Sequence, residues 1–357
     1  MSAPPAVGAR IGWQEVPLTV RREIERVCGS PVITAETQRG GFSPGVAARL
    51  RCADGGRWFV KAVSADANPE TPRMHRREAR VLADLDPVIV ARRLPVPRLR
   101  GTAEAGRWFA LIADDVAGRQ PDLPWQDGQL DRVLAAVGWL AETLTPAPIE
   151  VPGIEEYLGA DFCGWRTLAG GSEQERLDPW SRSRLGELAA LEATWGAHAA
   201  GGTLLHGDIR ADNLLVTDDD GELGGVMVVD WPHACRGAAF ADLVMFAPSV
   251  AMQGGPEPAA LLARSPVGRD ARPDAVRALV CAMAGYLTER SLAPPPPGLP
   301  TIRRFQAAQA EVTRRWLATL ILGPEAFGEP AGAGAAVAQP DVLALPIALP
   351  ELHLGRG

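Results

Sequence analysis

Two short stretches of the chain carry residue types that can do chemistry. The first is His206-Gly207-Asp208-Ile209-Arg210-Ala211-Asp212-Asn213. The second is Val228-Val229-Asp230-Trp231, whose carboxylate falls 22 residues after Asp208. A carboxylate followed five positions later by an amide, and then by a carboxylate closing an apolar β run, suits phosphoryl transfer. One carboxylate accepts a hydroxyl proton, while the amide oxygen and the second carboxylate hold Mg2+ against the phosphates. Either stretch alone would also fit an Asp and an Asn capping a turn. Both together, in this order and spacing, favour the chemistry.

Composition marks a third position. Lys61 is the only lysine in the chain, and the other 35 basic residues are arginines. Lysine is a compact point charge and arginine a wide planar fork, so the two do not substitute for one another at a tight site. A chain that uses arginine almost everywhere and keeps one lysine makes Lys61 a functional candidate.

The elements that must position these residues are readable in outline. Strands are predicted over Val32–Thr37, Val46–Cys52 and Arg57–Val63, then near Arg98–Ala103 and Arg107–Ala113. A helix is predicted over Pro72–Leu85, with Ala79, Leu82 and Leu85 on one side. Helices dominate after a loop-like passage from Asp114 to Pro124. They are predicted over Gln129–Leu144, Ser183–His198, Ala275–Glu289 and Ile302–Leu322, with Pro294–Pro297 as a stiff connector. Two apolar runs, Asn213–Val216 and Gly225–Val229, flank an acidic turn at Asp218-Asp219-Asp220-Gly221. From Gly328 onward the chain is rich in Gly, Ala and Pro and reads as a poorly ordered tail.

Bulk composition narrows the class. The 357 residues are 46% hydrophobic and 22% charged, an ordinary globular balance. No stretch is long and apolar enough to cross a bilayer, and the first residues read as no secretory signal. Five widely spread cysteines without a CxxC pair suit a reducing cytoplasm. A net charge of −7 makes a general nucleic-acid binder unexpected, and neither a nucleic-acid nor a membrane partner is foreseen. The charge is uneven, however. Residues 1–114 carry a net +6 and residues 115–357 a net −13.

On these residues the chain resembles the aminoglycoside phosphotransferase and choline kinase family. HGDIRADN is similar to that family's catalytic loop, VVDW to its metal-binding segment, and Ala241-Asp242-Leu243 to the Asp-Leu that follows. Phe59-Val60-Lys61-Ala62 is similar to the strand bearing the nucleotide-binding lysine, and Arg77-Glu78-Ala79 to the helix whose glutamate pairs with it. The resemblance implies an α+β, two-lobed, protein-kinase-like fold, with a small β-rich lobe and a larger, mostly helical one. The expected division is a nucleotide-binding lobe over 1–114, a catalytic and acceptor-binding lobe over 115–328, and the tail over 329–357.

The resemblance also implies roles. Lys61, held by Glu78, would bind the phosphates of ATP or GTP. Asn213 and Asp230 would hold Mg2+, and Asp208 would take the acceptor's proton. Gly41, Ser43 and Gly45, in Gly40–Gly45, would cover the phosphates. Ala113, in a hinge near Ile112–Val116, would bind the purine. His206 and Asp242 would brace the catalytic loop. Two departures stand out: the loop's middle is Arg210-Ala211-Asp212, with Asp212 expected to be solvated, and no Ala-Pro-Glu segment follows Asp230. Small molecules are therefore favoured over protein substrates.

The acidic larger part would attract a cationic acceptor, such as an aminoglycoside or related antibiotic, with Glu155, Glu156 and Asp161 as candidate contacts. The alternatives are a kinase of a small metabolite (an amino alcohol, sugar or nucleoside) or a catalytically silent kinase-like binding module.

Overall fold

The computed structural model of the chain describes residues 10–38, 44–218, 225–296 and 299–323. Gly41, Ser43, most of the acidic turn and the expected tail lie outside the described residues. The β-rich part comes first. Helix α1 (Leu18–Cys28) precedes strands β1 (Val32–Thr37), β2 (Val46–Cys52) and β3 (Arg57–Ser64). Helix α2 (Thr71–Arg92) follows, then β4 (Leu99–Ala105) and β5 (Trp108–Asp114). The five strands make one antiparallel sheet in the order β1-β2-β3-β5-β4.

Alternation along the strands sorts the two faces of this sheet. Val60 and Ala62 of β3, with Ala110 and Ile112 of β5, are buried with Val20 and Ile24 of α1. The intervening Phe109, Leu111 and Ala113 are buried with Leu82 and Leu85 of α2. Lys61 lies between Val60 and Ala62 and in register with Leu111, so it faces α2.

Helix α2 is longer than its spacing predicts. It runs past Leu85 to Arg92 with Pro87 inside it. A proline in a helix interior costs about 3 kcal/mol. Ile89, only 4% exposed, extends the buried stripe beyond the proline. Burying such a side chain returns roughly 1.5–3 kcal/mol, which offsets most of that cost.

Beyond Asp114 the fold is mostly helical. A short β6 (Gly118–Arg119) leads to α3 (Asp127–Thr143), α4 (Ile154–Leu158) and α5 (Gly164–Gly170). Next come α6 (Pro179–Ser183), α7 (Leu185–Glu192) and α8 (Trp195–Ala199). Strands β7 (Thr203–Leu205), β8 (Leu214–Thr217), β9 (Val226–Val228) and β10 (Cys235–Gly237) form two small antiparallel sheets, β10-β7 and β6-β8-β9. Helices α9 (Ala241–Met252), α10 (Pro258–Arg264), α11 (Pro266–Arg269), α12 (Pro273–Leu292) and α13 (Ile302–Leu322) complete it.

The single helix expected over Ser183–His198 is instead broken into α7 and α8. Glu192, fully buried, explains the break. Its carboxylate accepts the backbone N–H groups of Trp165 at 2.9 Å and Arg166 at 3.0 Å, capping the start of α5. Those N–H groups have no partner within their own helix. Two residues later the Thr194 hydroxyl donates to the Leu191 carbonyl, which closes off α7. Helix α5 in turn crosses α12 backbone to backbone, because a Cβ on Gly164 would sit 2.1 Å from the Gly285 carbonyl oxygen. The Trp165 indole N–H adds a hydrogen bond to the Cys281 carbonyl at 2.9 Å. This packing fixes α12, one wall of the site described next.

Candidate active site

His206–Asn213 connects β7 to β8, and four hydrogen bonds, two to Asp242 and two at the His206 ring, hold it in shape. Asp242, in the first turn of α9, accepts the backbone N–H of His206 at 2.7 Å and of Gly207 at 2.8 Å. Burial pushes the Asp242 carboxyl up to about 6, opposed by those two bonds. The His206 ring receives the Asp208 N–H at Nδ1, 3.2 Å away, so its Nε2–H donates to the Val229 carbonyl at 3.0 Å. Burial depresses this imidazole to about 4, which keeps it neutral. His206 and Asp242 therefore both brace the loop. Gly207 has φ +81, and a Cβ there would lie 2.4 Å from the His233 carbonyl oxygen, so only glycine fits.

The second stretch meets the first through the β8–β9 pairing. Leu214 is in register with Val228, and one step on the Val229 N–H donates to the Asn213 carbonyl at 2.9 Å. Asn213 and Asp230 are thereby set side by side. Asp230 has φ +71, a left-handed conformation that costs a non-glycine residue free energy and clusters at functional sites. From there its carboxylate reaches Lys61 Nζ at 2.6 Å, while both Glu78 oxygens lie 2.8 Å from the same ammonium.

The charges of this triad are set against burial. Burial would lower Lys61, but Asp230 and Glu78 hold it above its ordinary value. Burial would raise Asp230, but Lys61 holds it well below the usual carboxylate range. Glu78 is pushed up to about 7 by burial, against Lys61. One turn before Glu78, the His75 ring is 3% exposed, and neither nitrogen has a hydrogen-bond partner among the described residues. Burial, aided by Lys61, drives it down to about 3.

Asp208 is raised by burial, with Arg210 acting in the opposite direction. The Arg210 guanidinium donates to Asp208 at 2.9 Å and grips Asp212 with two bonds of 3.0 Å. Asp212 is only 12% exposed, so the expectation of a solvated carboxylate is corrected: it is the counter-ion of Arg210. Asn213 donates its amide nitrogen to the Asp208 carbonyl at 2.8 Å, which leaves its side-chain oxygen as an acceptor or ligand. Sequence reasoning noted Arg210 only as a departure from the family pattern. Opposite charges two apart in a loop were the available signal.

Of the expected nucleotide contacts, Gly45 is held by shape. Its φ is +91, and a Cβ there would lie 2.4 Å from the Ala62 carbonyl oxygen. Ala113 is placed differently from the hinge expectation. It lies within β5, paired with Phe59 on one side and Leu99 on the other, so its backbone lies inside the sheet. The connection that leaves the sheet begins at Asp115, a residue the sequence reading did not single out. The Asp115 side chain is 2% exposed and is gripped by Arg49 at 3.2 Å and Arg57 at 2.8 Å. Arg49 also donates to the Val116 and Gly118 carbonyls.

A cavity of about 350 Å³ opens onto Asp208, Arg210, Asp230 and His233. Of the three acidic contacts expected for an acceptor, only Asp161 lines it, and that carboxylate is bonded to Arg290 at 2.5 Å. Glu155 and Glu156 are exposed in the first turn of α4, outside the cavity wall.

Comparison with known proteins places this arrangement. The solved GDP and kanamycin complex of APH(2")-IIia matches with TM-score 0.57 at 13% identity, over 86% of this chain and 100% of that one. A thermostable mutant of aminoglycoside phosphotransferase APH(4)-Ia, in ternary complex with AMP-PNP and hygromycin B, matches with TM-score 0.55 at 14% identity, over 87% of this chain and 100% of that one. An aminoglycoside phosphotransferase from Alicyclobacillus acidocaldarius subsp. acidocaldarius DSM 446 matches with TM-score 0.52 at 14% identity, over 86% and 96%. At such identities the likeness is one of fold, the two-lobed protein-kinase-like α+β arrangement. No curated protein matches the chain in sequence. Among the described residues, no helix is long and apolar enough to cross a membrane. The family model of the phosphotransferase enzyme family, APH, matches residues 39–279, more than half of the sequence and inclusive of both reactive stretches, and the chain belongs to that family.

Proposed function

We propose that this phosphotransferase moves the γ-phosphoryl group of ATP or GTP, bound with Mg2+, to a hydroxyl of a small molecule. The observation that carries the reading is the Lys61 ammonium, bonded to Glu78 and to Asp230, whose carboxylate lines the same cavity as Asp208. Membership of the family supports the reaction class. Residues 1–114 would bind the nucleotide and 115–328 the acceptor.

In this reading Lys61, steadied by Glu78, contacts the nucleotide's phosphates. The backbone from Asp115 onward, clamped by Arg49 and Arg57, faces the purine. The Asn213 side-chain oxygen and the Asp230 carboxylate are hard oxygen donors on neighbouring backbone, a set that fits Mg2+. When bound there, the ion neutralises charge on the phosphates. Asp208 orients the acceptor hydroxyl and takes its proton as the oxygen attacks phosphorus in line. Burial raises the basicity of Asp208, and the Arg210 guanidinium acts against that rise by favouring the ionised form. General-base assistance of this kind supplies about 10²–10⁴ in rate, with positioning and charge neutralisation supplying the larger share. A silent binding module would have lost one of Lys61, Asp208, Asn213 or Asp230. All four are present and adjoining.

An aminoglycoside acceptor, and with it a cytoplasmic role in antibiotic resistance, is suggested by relatives bound to kanamycin and hygromycin B. The negative charge of residues 115–357 favours a cation in the same way. Those carboxylates are not concentrated on the cavity wall, which bears on the acceptor below. The reaction is tested by incubating the chain with γ-labelled ATP or GTP, with and without Mg2+, over a panel of hydroxylated small molecules. Mg2+-dependent release or transfer of the label is expected; no such turnover with any acceptor or with water would overturn the reading.

A further inference from the structure

We propose that the acceptor is an uncharged or singly charged hydroxyl compound with an apolar or aromatic face, and not a polycation. This rests on the phosphotransferase reading above and names its substrate class. The argument comes from the other residues that line the cavity with Asp208. Met74 of α2, Met245 of α9 and Met283 of α12 line it, together with Phe162, Tyr286 and Phe305. Among the described residues, Asp161 is the only wall carboxylate apart from Asp208, which binds the acceptor, and Asp230, assigned to the metal. Arg290 already matches Asp161 at 2.5 Å.

A molecule bearing several ammonium groups would exchange water for thioether and ring surfaces, with no further free carboxylate among the described wall residues to receive them. Burying charge without a partner is among the costliest steps in recognition. The wall instead offers what an amphipathic neutral molecule needs. Phe162 and Tyr286 lie with ring centroids 5.6 Å apart, presenting aromatic surface. The methionines, unbranched and polarisable, adapt to an irregular apolar body. Gln306 and Gln309, one turn apart on α13, supply neutral donors and acceptors at the same cavity. Burial holds the Tyr286 phenol up to about 12, so that group also stays uncharged.

The transfer is balanced as follows. The acceptor's hydroxyl oxygen bonds to the γ-phosphorus as the bond from that phosphorus to the β–γ bridging oxygen breaks. The hydroxyl proton passes to Asp208, and the nucleoside diphosphate leaves with the electron pair.

The experiment is equilibrium binding to the full chain in the presence of AMP-PNP and Mg2+. The probes are n-octyl β-D-glucopyranoside below its micelle concentration, glucose, and kanamycin A. The alkyl glucoside is expected to bind at least about tenfold more tightly than either glucose or kanamycin A. Met245→Ala, at a half-buried wall position, should weaken the alkyl glucoside and leave kanamycin A unchanged. Gln309→Glu, also half-buried, should tighten kanamycin A by adding wall charge. Kanamycin A binding as tightly as the alkyl glucoside, or the alkyl glucoside binding no better than glucose, would overturn the proposal. That ratio is read without turnover, so its failure is separate from a failure of Mg2+-dependent phosphate release, which would sink the phosphotransferase reading.

Discussion

Replacing Lys61 by Met removes the cation that two carboxylates share. Glu78 is 3% exposed, Lys61 14% and Asp230 30%, so the triad is buried on the α2 side and open toward the cleft. Breaking a fully buried pair costs about 3–5 kcal/mol. The exposure of Asp230 places this case near the lower end, about 3 kcal/mol at pH 8, or a fall in Tm of roughly 5 °C or more. The loss depends on pH. Without Lys61, Glu78 keeps the burial that raises it and loses the neighbour that lowers it, so its folded value climbs further above its unfolded one. A carboxyl raised in the folded state takes up a proton on folding, so stability is regained as pH falls through the folded value. The gap between the two proteins should therefore narrow by about 1 kcal/mol between pH 8 and pH 6. Thermal and urea denaturation at both pH values measure it. A Lys61→Met protein as stable as the wild type at pH 8, or a gap that widens on acidification, would refute the shared-cation reasoning.

Two further perturbations probe groups to which the sequence assigned no role. His75→Leu removes an imidazole held neutral in the folded chain, with its value at about 3 and its unfolded value near 6.5. A histidine depressed in the folded state binds its proton on unfolding, so its contribution is lost as pH falls below 6.5. Between pH 7.5 and pH 5.5 the wild type should lose about 1.4 kcal/mol more than the variant, and equal losses in urea titrations would contradict it. Arg210→Met removes the charge that opposes the upward shift of Asp208. The acid limb of the pH–rate profile should move up by about 1–3 units, whereas Arg210→Lys leaves it nearly in place. An unmoved limb in the Met protein would detach Arg210 from Asp208.

What could be read from sequence was whatever is local along the chain. The five strands stand out as short runs between turns, and α13 is bounded as expected at Ile302 and Leu322. His206–Asn213 and Asp230 announce themselves because their chemistry lies in adjacent residues. What was hidden depends on partners far away in the chain. Glu192 breaks a helix because it is needed 27 residues earlier, at Trp165. Asp161 is neutralised by Arg290, 129 residues away. Asp115 is clamped by Arg49 and Arg57 from two different strands. The net charge of the larger part has no geometry, so it could suggest a cationic acceptor while the wall of the cavity was being built from methionine and aromatic rings.

Asp208→Asn tests the central claim most directly, because the amide keeps the side chain's shape and removes the base. Nucleotide affinity and γ-phosphate transfer are measured on the same preparation, with labelled ATP or GTP and Mg2+. The expected result is affinity within about threefold of wild type, with transfer lowered by about 10²–10⁴. Transfer at the wild-type rate would contradict the assignment of Asp208 as the residue that takes the hydroxyl proton.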